Sequence, residues 1–532
     1  AAARDGLRAT HAMTILLVLA CLLLIYRSPL LVLAPLVTIF CSVAVAMGVV
    51  AMLVDLTTAG SVAGLGLRVF TTTKVFVIVI LFGAGRDFCL FLIARYREEL
   101  ARGVAPHRAP GIALRNVSGA LAGSAFTTIL GLATMALAQY GKFASSGPVI
   151  AICLFIALLA CTTLTPAILR IIGPAIFWPF GVSQERKHSG WEQRVWERLS
   201  DLVLRRPAWI LGVGALLAAP PMMIGFTAPV NYDLLSELPS GSPSLRGARL
   251  IREHFGEGWL SPMTLAVRLP GARLDNADAR FDVALLHNAL FQIPEVQDVR
   301  SPYLPTGGDP TRRRHFSYEG LYNAATTGSP LTIQSFVSKA PDMAGQVMQL
   351  YLVQVSDPFS HEARDAVPRI RAALSTISHS ESLDGQPNPW RGADFQLAGA
   401  TAGMVDLKSI TQADNHRIQI ACVVAVLLVL LVLLRRPLAC LYLMLTVLVT
   451  YWVTLGVTHA VFHAIYGETY HGLDWKAPLF LFVILVAVGQ DYNIYLTTRV
   501  LEEQRRHGMR EGLRRAIVQT GGIITSCGII MA

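Results

Sequence analysis

Of the 532 residues, 53% are hydrophobic and only 15% charged, a balance that excludes an ordinary soluble enzyme or a disordered chain and points to the membrane. The formal net charge of +10 does not mark a nucleic-acid partner, because the Lys and Arg clusters sit at the ends of apolar runs.

Apolar windows of about 20 residues, enough to cross a bilayer, fall at roughly 12–27, 29–54, 74–95, 117–140, 147–172, 207–225, 416–434, 437–463 and 477–498. Nine spans are therefore expected, with a tenth starting near Ala516. The opening "AAARDGLRATHAM" has neither an initiator Met nor a cleavable signal, so an internal fragment of a longer protein is expected. Basic clusters follow Ile93, precede Ala208, stand at Arg435 and follow Thr498. Placing all four on the cytoplasmic side satisfies the positive-inside rule and puts 55–72, 141–146, 226–412 and 464–476 outside.

The organisation expected in chain order begins with the end of an extracytoplasmic region at 1–11 and a first half of the membrane bundle at 12–172. A cytoplasmic linker follows at 173–206, amphipathic over 184–206 with Trp191, Trp196 and Leu199 on its apolar side, then a span at 207–225. Residues 226–412 are Pro- and Gly-rich with ordinary charge density, as expected of a soluble insertion, and the second half of the bundle occupies 413–532. Within the insertion, strand-like 263–269, helix-like 278–293 and strand-like 296–301 are followed by a second such set at 348–355, 361–377 and 394–399. Two strand–helix–strand sets predict an α+β domain of split βαβ units, with a loop at about 303–330. All eight cysteines fall in apolar spans, so no disulfide framework is expected in the insertion.

The chain is a duplication. "GRDFCLFLIARYREELARG" (85–103) aligns with "GQDYNIYLTTRVLEEQRRHG" (489–508), and after a one-residue shift Gly119 and Ser124 meet Gly522 and Cys527. In each copy the Asp follows Gly by two positions, an Arg follows the Asp by eight (Arg95, Arg499), and a Glu pair comes next. At 1.5 Å rise per residue each Asp lies about 12 Å from its basic end, near mid-bilayer. Asp87 and Asp491 are the only carboxylates well inside the nine spans. A charge there costs at least about 2.5–3.5 kcal/mol, so both are candidate proton carriers or, alternatively, hydrogen-bonding pins between helices. Tyr492 supplies a hydroxyl that can donate to a carboxylate or join a relay.

A Gly-x-Asp-Tyr sequence in a mid-protein span, repeated in two halves with basic ends, resembles the MMPL branch of the RND transporter superfamily. The stretches "NYDLLSELPSGSPSLRGARLIREHFGEGWLSP" (231–262) and "AGATAGMVDLKSITQADNHRI" are similar to the entry and exit of that family's second porter domain. The resemblance implies a polytopic α-helical membrane protein of two pseudo-repeated halves with an inserted extracytoplasmic α+β porter domain, multi-pass in the cell (inner) membrane. Twelve spans are implied for the complete protein, of which this chain would hold the second to the tenth and the start of the eleventh.

Matched residue by residue, Asp491 and Tyr492 carry the family's proton-relay dyad in the second copy and Asp87 its acid in the first. The first copy departs from the pattern: Phe88 replaces the tyrosine, and Arg86 stands where a small residue is expected. Arg86 either pairs with Asp87 or points elsewhere, since successive helix positions lie 100° apart. Asp491 and Tyr492 therefore rank above Asp87. Gly119 and Gly123, with Gly521 and Gly522 in the counterpart stretch 520–528, are expected to let the fifth and eleventh spans press against the Asp-bearing ones.

There is no phosphate loop and no His pair at metal-ligand spacing, so neither cofactor nor metal is expected and the energy must come from an ion gradient or another protein. The implied function is a proton-driven exporter, by antiport and not an enzyme, moving a lipid or other hydrophobic molecule. Its partners would be that substrate, protons and membrane lipids, with periplasmic partners or a homo-oligomer expected on the same resemblance. Drug efflux is a second reading. A protein-export accessory resembling SecDF and a sterol sensor resembling Patched fit less well, the former for its soluble domain, the latter for the missing cysteines.

Overall fold

A backbone that crosses lipid must satisfy its own N–H and C=O groups, which leaves helices for an apolar chain of this kind. The computed structural model describes residues 28–58, 68–179, 181, 192–233, 235–236, 238–239, 241–269, 271–275, 279–302, 304–308, 330–467 and 470–531. The span expected at 12–27 lies outside the described residues, as do 309–329 of the loop expected at about 303–330 and 182–191 of the linker expected at 173–206.

The first half of the bundle contains α1 (Pro29–Thr58), α2 (Thr71–Ile80), a π-helical turn at Leu81–Gly85, α3 (Arg86–Ala101), α4 (Ala109–Ala133) and α5 (Gly141–Ile172). After α6 (Glu192–Arg205) comes α7 (Pro207–Thr227). Among the described residues eight helical segments are long and apolar enough to span a membrane, and α2 with α3 forms one of them. Their enclosure differs sharply: 72% of the Thr73–Ala101 window is buried, but only 6% of the Pro207–Thr227 window. The Asp87-bearing span thus sits in the interior, and α7 exposes almost all of its apolar surface, as a lipid-facing helix does.

The soluble unit, Tyr232–Gln412, is a separate compact body. It contains α8 (Pro243–Phe255), β1 (Met263–Arg268), α9 (Ala279–Phe291), β2 (Val296–Arg300), β3 (Val347–Gln354), α10 (His361–His379) and β4 (Asp394–Ala398). The strands form one antiparallel sheet in the order β2-β3-β1-β4. Each strand–helix–strand set is thus split by a strand of the other, the arrangement expected from the sequence. Helix α8 and the 3₁₀ turn Glu257–Leu260 were not among the expected elements. On β1, Met263, Leu265 and Val267 point into the core while Thr264, Ala266 and Arg268 alternate outward. The core is completed by Leu286 and Leu290 of α9 and Val367, Ile370 and Leu374 of α10, with Trp390 fully buried and its indole N–H donating to the Asp282 carbonyl at 2.8 Å.

The remaining helices are α11 (Ala400–Leu434), α12 (Pro437–Tyr466), α13 (Ala477–His507) and α14 (Met509–Met531). α11 runs unbroken through the residues where the sequence suggested a boundary at 412 and a span beginning at 416. α14 begins seven residues before Ala516, because its first two turns carry Arg510, Glu511, Arg514 and Arg515 and hydropathy alone misses them. α7 and α12 meet at two glycines: a Cβ on Gly225 would strike the Trp452 carbonyl, and one on Gly456 the Pro221 carbonyl. Backbone contact this close requires residues without a side chain on both helices. The linker helix α6 packs on α14, with Trp196 over Gly521 and Asp201 paired with Arg514 at 3.3 Å.

Within the soluble unit, His287 is buried on α9, its Nδ1 lying 3.0 Å from the Ser301 hydroxyl. Burial pushes its pKa down to about 4, against a smaller upward pull from a hydrogen bond to the Gly308 backbone. Since the folded value lies below the unfolded one, the unfolded chain takes up the proton first as pH falls. Stability should be fully present above pH 6.5 and decline by about 3 kcal/mol as pH drops from 6.5 to 4. Amide exchange of β2 and α9 in the detergent-solubilised protein should show this slope, and His287→Asn should flatten it.

Candidate functional site

The two halves face each other through residues that are each other's counterparts in the repeat. Phe76 stacks on Phe480 with ring centroids 4.2 Å apart and planes 13° from parallel. Phe91 stacks on Tyr495 at 4.5 Å and 20°. Phe76 and Phe480 each precede the first glycine of their repeat by nine residues, and Phe91 and Tyr495 each follow it by six. When equivalent residues touch, they lie on the pseudo-two-fold axis relating the halves. Asp87 and Asp491 fall between these two stacked pairs, so the axis passes through the carboxylate level.

At that level Asp87 and Asp491 are almost wholly enclosed, 2% and 3% exposed, as is Arg86 at 1%. The π-helical turn Leu81–Gly85, with its two glycines, underwinds the backbone just before Arg86, the kind of local distortion often found at functional positions. Arg86 folds onto its neighbour, its Nη2 and Nε donating to Asp87 Oδ1 at 3.0 and 3.2 Å. Of the two orientations open from the sequence, the ion pair is the one formed.

The other Asp87 oxygen is met from the opposite half: the Tyr492 hydroxyl donates to Asp87 Oδ2 at 2.6 Å. Tyr492 thus bonds the acid of the other repeat, where a dyad with its chain neighbour Asp491 was the expectation. The pseudo-two-fold axis explains the next observation. Its operation carries the Tyr492–Asp87 contact onto residue 88 and Asp491, but residue 88 is Phe and has no hydroxyl. Among the described residues, Asp491 Oδ1 is accordingly buried with no hydrogen-bond partner. Ser124 on α4 lies against Asp491, yet its Oγ also lacks a partner of normal geometry. One carboxylate is therefore held by a cation and a phenol, and its twin has neither.

The glycines meet other partners than expected. Gly119 has open space around it, and a Cβ on Gly123 would strike Leu433 of α11, not an Asp-bearing helix. Gly521 accommodates the Trp196 ring of α6, and Gly522 is half-buried beside it on α14. The residue that brings α4 onto the Asp491 helix is Gly131, where a Cβ would lie 3.0 Å from that of Ala487, with Thr128 Oγ1 donating to the Ala487 carbonyl at 3.4 Å. Nothing in a single sequence separates Gly131 from the many other small residues of the spans.

Two further layers of contacts lie on either side of the carboxylate level. At the basic end, Arg95 pairs with Glu98 at 2.8 Å and Glu99 at 3.2 Å, and Arg499 repeats the pattern with Glu502 at 3.0 Å and Glu503 at 3.3 Å. Asn116 donates to Glu99, and its repeat counterpart Gln519 accepts from Arg499. At the opposite end, Phe143 packs edge-on against both Tyr140 and Phe480. Asp414, fully buried on α11, accepts the backbone N–H groups of Gln139 and Tyr140, both at 2.8 Å, and so fixes the α4–α5 turn. The sequence reading missed Asp414 because it precedes the apolar run. Among the described residues no group of three or more His, Cys, Asp or Glu is arranged to hold a metal.

Comparison with known proteins places this arrangement. The chain is 30% identical over 537 residues to the "Apo-petrobactin exporter" of Bacillus anthracis, covering 98% of this chain and 63% of that protein. It is 28% identical over 415 residues to "Probable transport protein MmpL12" of Mycobacterium tuberculosis, covering 75% of this chain and 34% of that one. The chain therefore spans less than two thirds of the length of the first relative and about a third of that of the second. Among solved structures, SecDF, a translocon-associated membrane protein of Thermus, shares the fold with a TM-score of 0.50 at 15% identity, over 99% of this chain and 56% of that one. The model of the MMPL family matches residues 1–210 and 236–532, and on that match this multi-pass membrane chain belongs to the MMPL family.

Proposed function

We propose that this chain is the larger part of a proton-driven exporter in which Asp491 is the group that gains and loses the proton. The observation that carries the reading is the inequality at the pseudo-two-fold axis. Asp87 has its charge balanced by Arg86 and accepts from Tyr492, whereas Asp491, also buried, has an oxygen with no donor among the described residues. Two neighbouring carboxyls in a low-dielectric site resist being charged together, so the compensated one holds its charge and the uncompensated one exchanges. Each change at Asp491 alters the net charge between two spans that meet at the Phe76–Phe480 and Phe91–Tyr495 stacks and at the Tyr492–Asp87 hydrogen bond, and that electrostatic difference is what can bias a repacking of the halves. The roles of Asp87, Arg86, Tyr492 and Phe88 are thus to hold and frame one charge beside a second that comes and goes. For the exported molecule, membership of the family favours a lipid or other hydrophobic compound. The apo-petrobactin exporter, matched along 98% of this chain, favours a smaller molecule as the second reading.

Asp491→Asn tests the relay, because it keeps the side-chain shape and removes only the exchangeable proton. In proteoliposomes of the full-length protein carrying a pH-sensitive dye inside, proton flux should fall by about a hundredfold, the scale of losing a positioned acid–base group. Flux equal to wild type would end the assignment.

The first-half departures make a second pair of expectations. Phe88→Tyr supplies the hydroxyl that the axis demands, and it should shift the pH profile of proton flux through a new donor to Asp491. Arg86→Gln leaves Asp87 without its cation, so that a second carboxyl can exchange and the profile should gain a second step. Profiles superposable on wild type for both variants would put these residues off the proton path.

A further inference from the structure

Between the start of α4 and the end of α5, on the side that the charge distribution assigns to the cytoplasm, lies an open surface cavity of about 640 Å³, its arginines exposed. Four cationic or titratable side chains line it: His107, Arg108 and Arg115 from the α4 side, and Arg170 from the last turn of α5. We propose that this cavity is a binding site for the phosphate headgroup of an anionic phospholipid, with the first part of an acyl chain along its apolar walls.

Five observations support it. Arg108 and Arg115 are seven residues apart, which on a helix places them on one face about 10 Å from each other, and Arg170 converges from the second helix. Among the described residues none of these three guanidinium groups has a carboxylate partner, although Arg95 and Arg102, a few residues away in the chain, are both paired with Glu98 and Glu99. Unpaired cations gathered around a recess match an anion that comes from outside the chain.

The walls between the cations are apolar and small. Gly111 has open space where a side chain would stand, Ala167 adds only a methyl group, and Pro166 lies inside α5 where it can donate no backbone hydrogen bond. That lining suits methylene groups and not a polar peptide or nucleotide. The positive end of the α4 dipole adds to the attraction, since the 25-residue helix begins at Ala109 with Pro110 in its first turn and no side-chain cap. Finally, both walls are the ends of membrane-spanning helices, so the cavity opens at the depth where lipid headgroups lie.

The experiment uses the full-length protein in nanodiscs of phosphatidylcholine, with fluorescently labelled phosphatidylglycerol titrated in and read by energy transfer from the protein's tryptophans. Wild type should show saturable binding. The triple variant Arg108→Gln, Arg115→Gln, Arg170→Gln should weaken it at least tenfold. A control with the same charge change elsewhere on the basic side, Arg198→Gln, Arg505→Gln, Arg510→Gln, should stay within twofold of wild type. Ala167→Trp, which fills the cavity and changes no charge, should reproduce the loss and stands in if the triple variant does not fold. Binding unchanged in both cavity variants, or lost equally in the control, overturns the proposal. Displacement of the labelled lipid by millimolar inorganic phosphate overturns its lipid part and assigns the cavity to a soluble anion.

Discussion

Two carboxylates buried at one level of a membrane bundle are the constraint to which the rest of the membrane unit answers. Coulomb repulsion between like charges a few ångströms apart is weak in water and severe where water is excluded. The chain meets it unequally, with a buried cation and a phenol on Asp87 and neither on Asp491. Around that level the stacked rings of Phe76 with Phe480 and Phe91 with Tyr495 hold the helices at a fixed separation, and the Arg–Glu clusters at the basic end repeat the pairing in both halves. In the proposed cycle a change in charge at this level is relieved by moving one half against the other.

Much of this was legible in the sequence because membrane segments announce themselves by continuous hydropathy and the repeat by identical spacing of Gly, Asp, Arg and Glu. The soluble unit was equally readable, since its strands alternate and its helices keep a 3.6-residue apolar stripe; β1, β2 and β4 start where the pattern says. What the linear pattern could not give was partnership across the axis. Tyr492 sits beside Asp491 in the chain, and adjacency suggested a dyad. On a helix, however, neighbours diverge, and the hydroxyl reaches Asp87 instead. The duplication already contained the hint, for if the halves face each other, residue 88 of one copy must face the acid of the other.

The glycines teach the complementary lesson. Spacing of Gly119 and Gly123 identified a surface capable of close approach but not which helix approaches it, and the tightest contact with the Asp491 helix is made at Gly131. Helix boundaries erred for a related reason. Hydropathy finds the part of a helix that lies in lipid, while hydrogen bonding continues past it, as at Met509 on α14 and Ala400 on α11.

The presence of Arg86 in only one half has a thermodynamic consequence. A duplicated site with two exchangeable carboxyls could carry two protons per cycle; with one of them neutralised by a built-in cation, the proposed cycle carries one. A single elementary charge moving through 100 mV releases about 2.3 kcal/mol, equivalent to roughly a fifty-fold concentration ratio of an uncharged cargo. In that proposed cycle the guanidinium on α3 sets a ceiling on how steep a cargo gradient one proton can sustain.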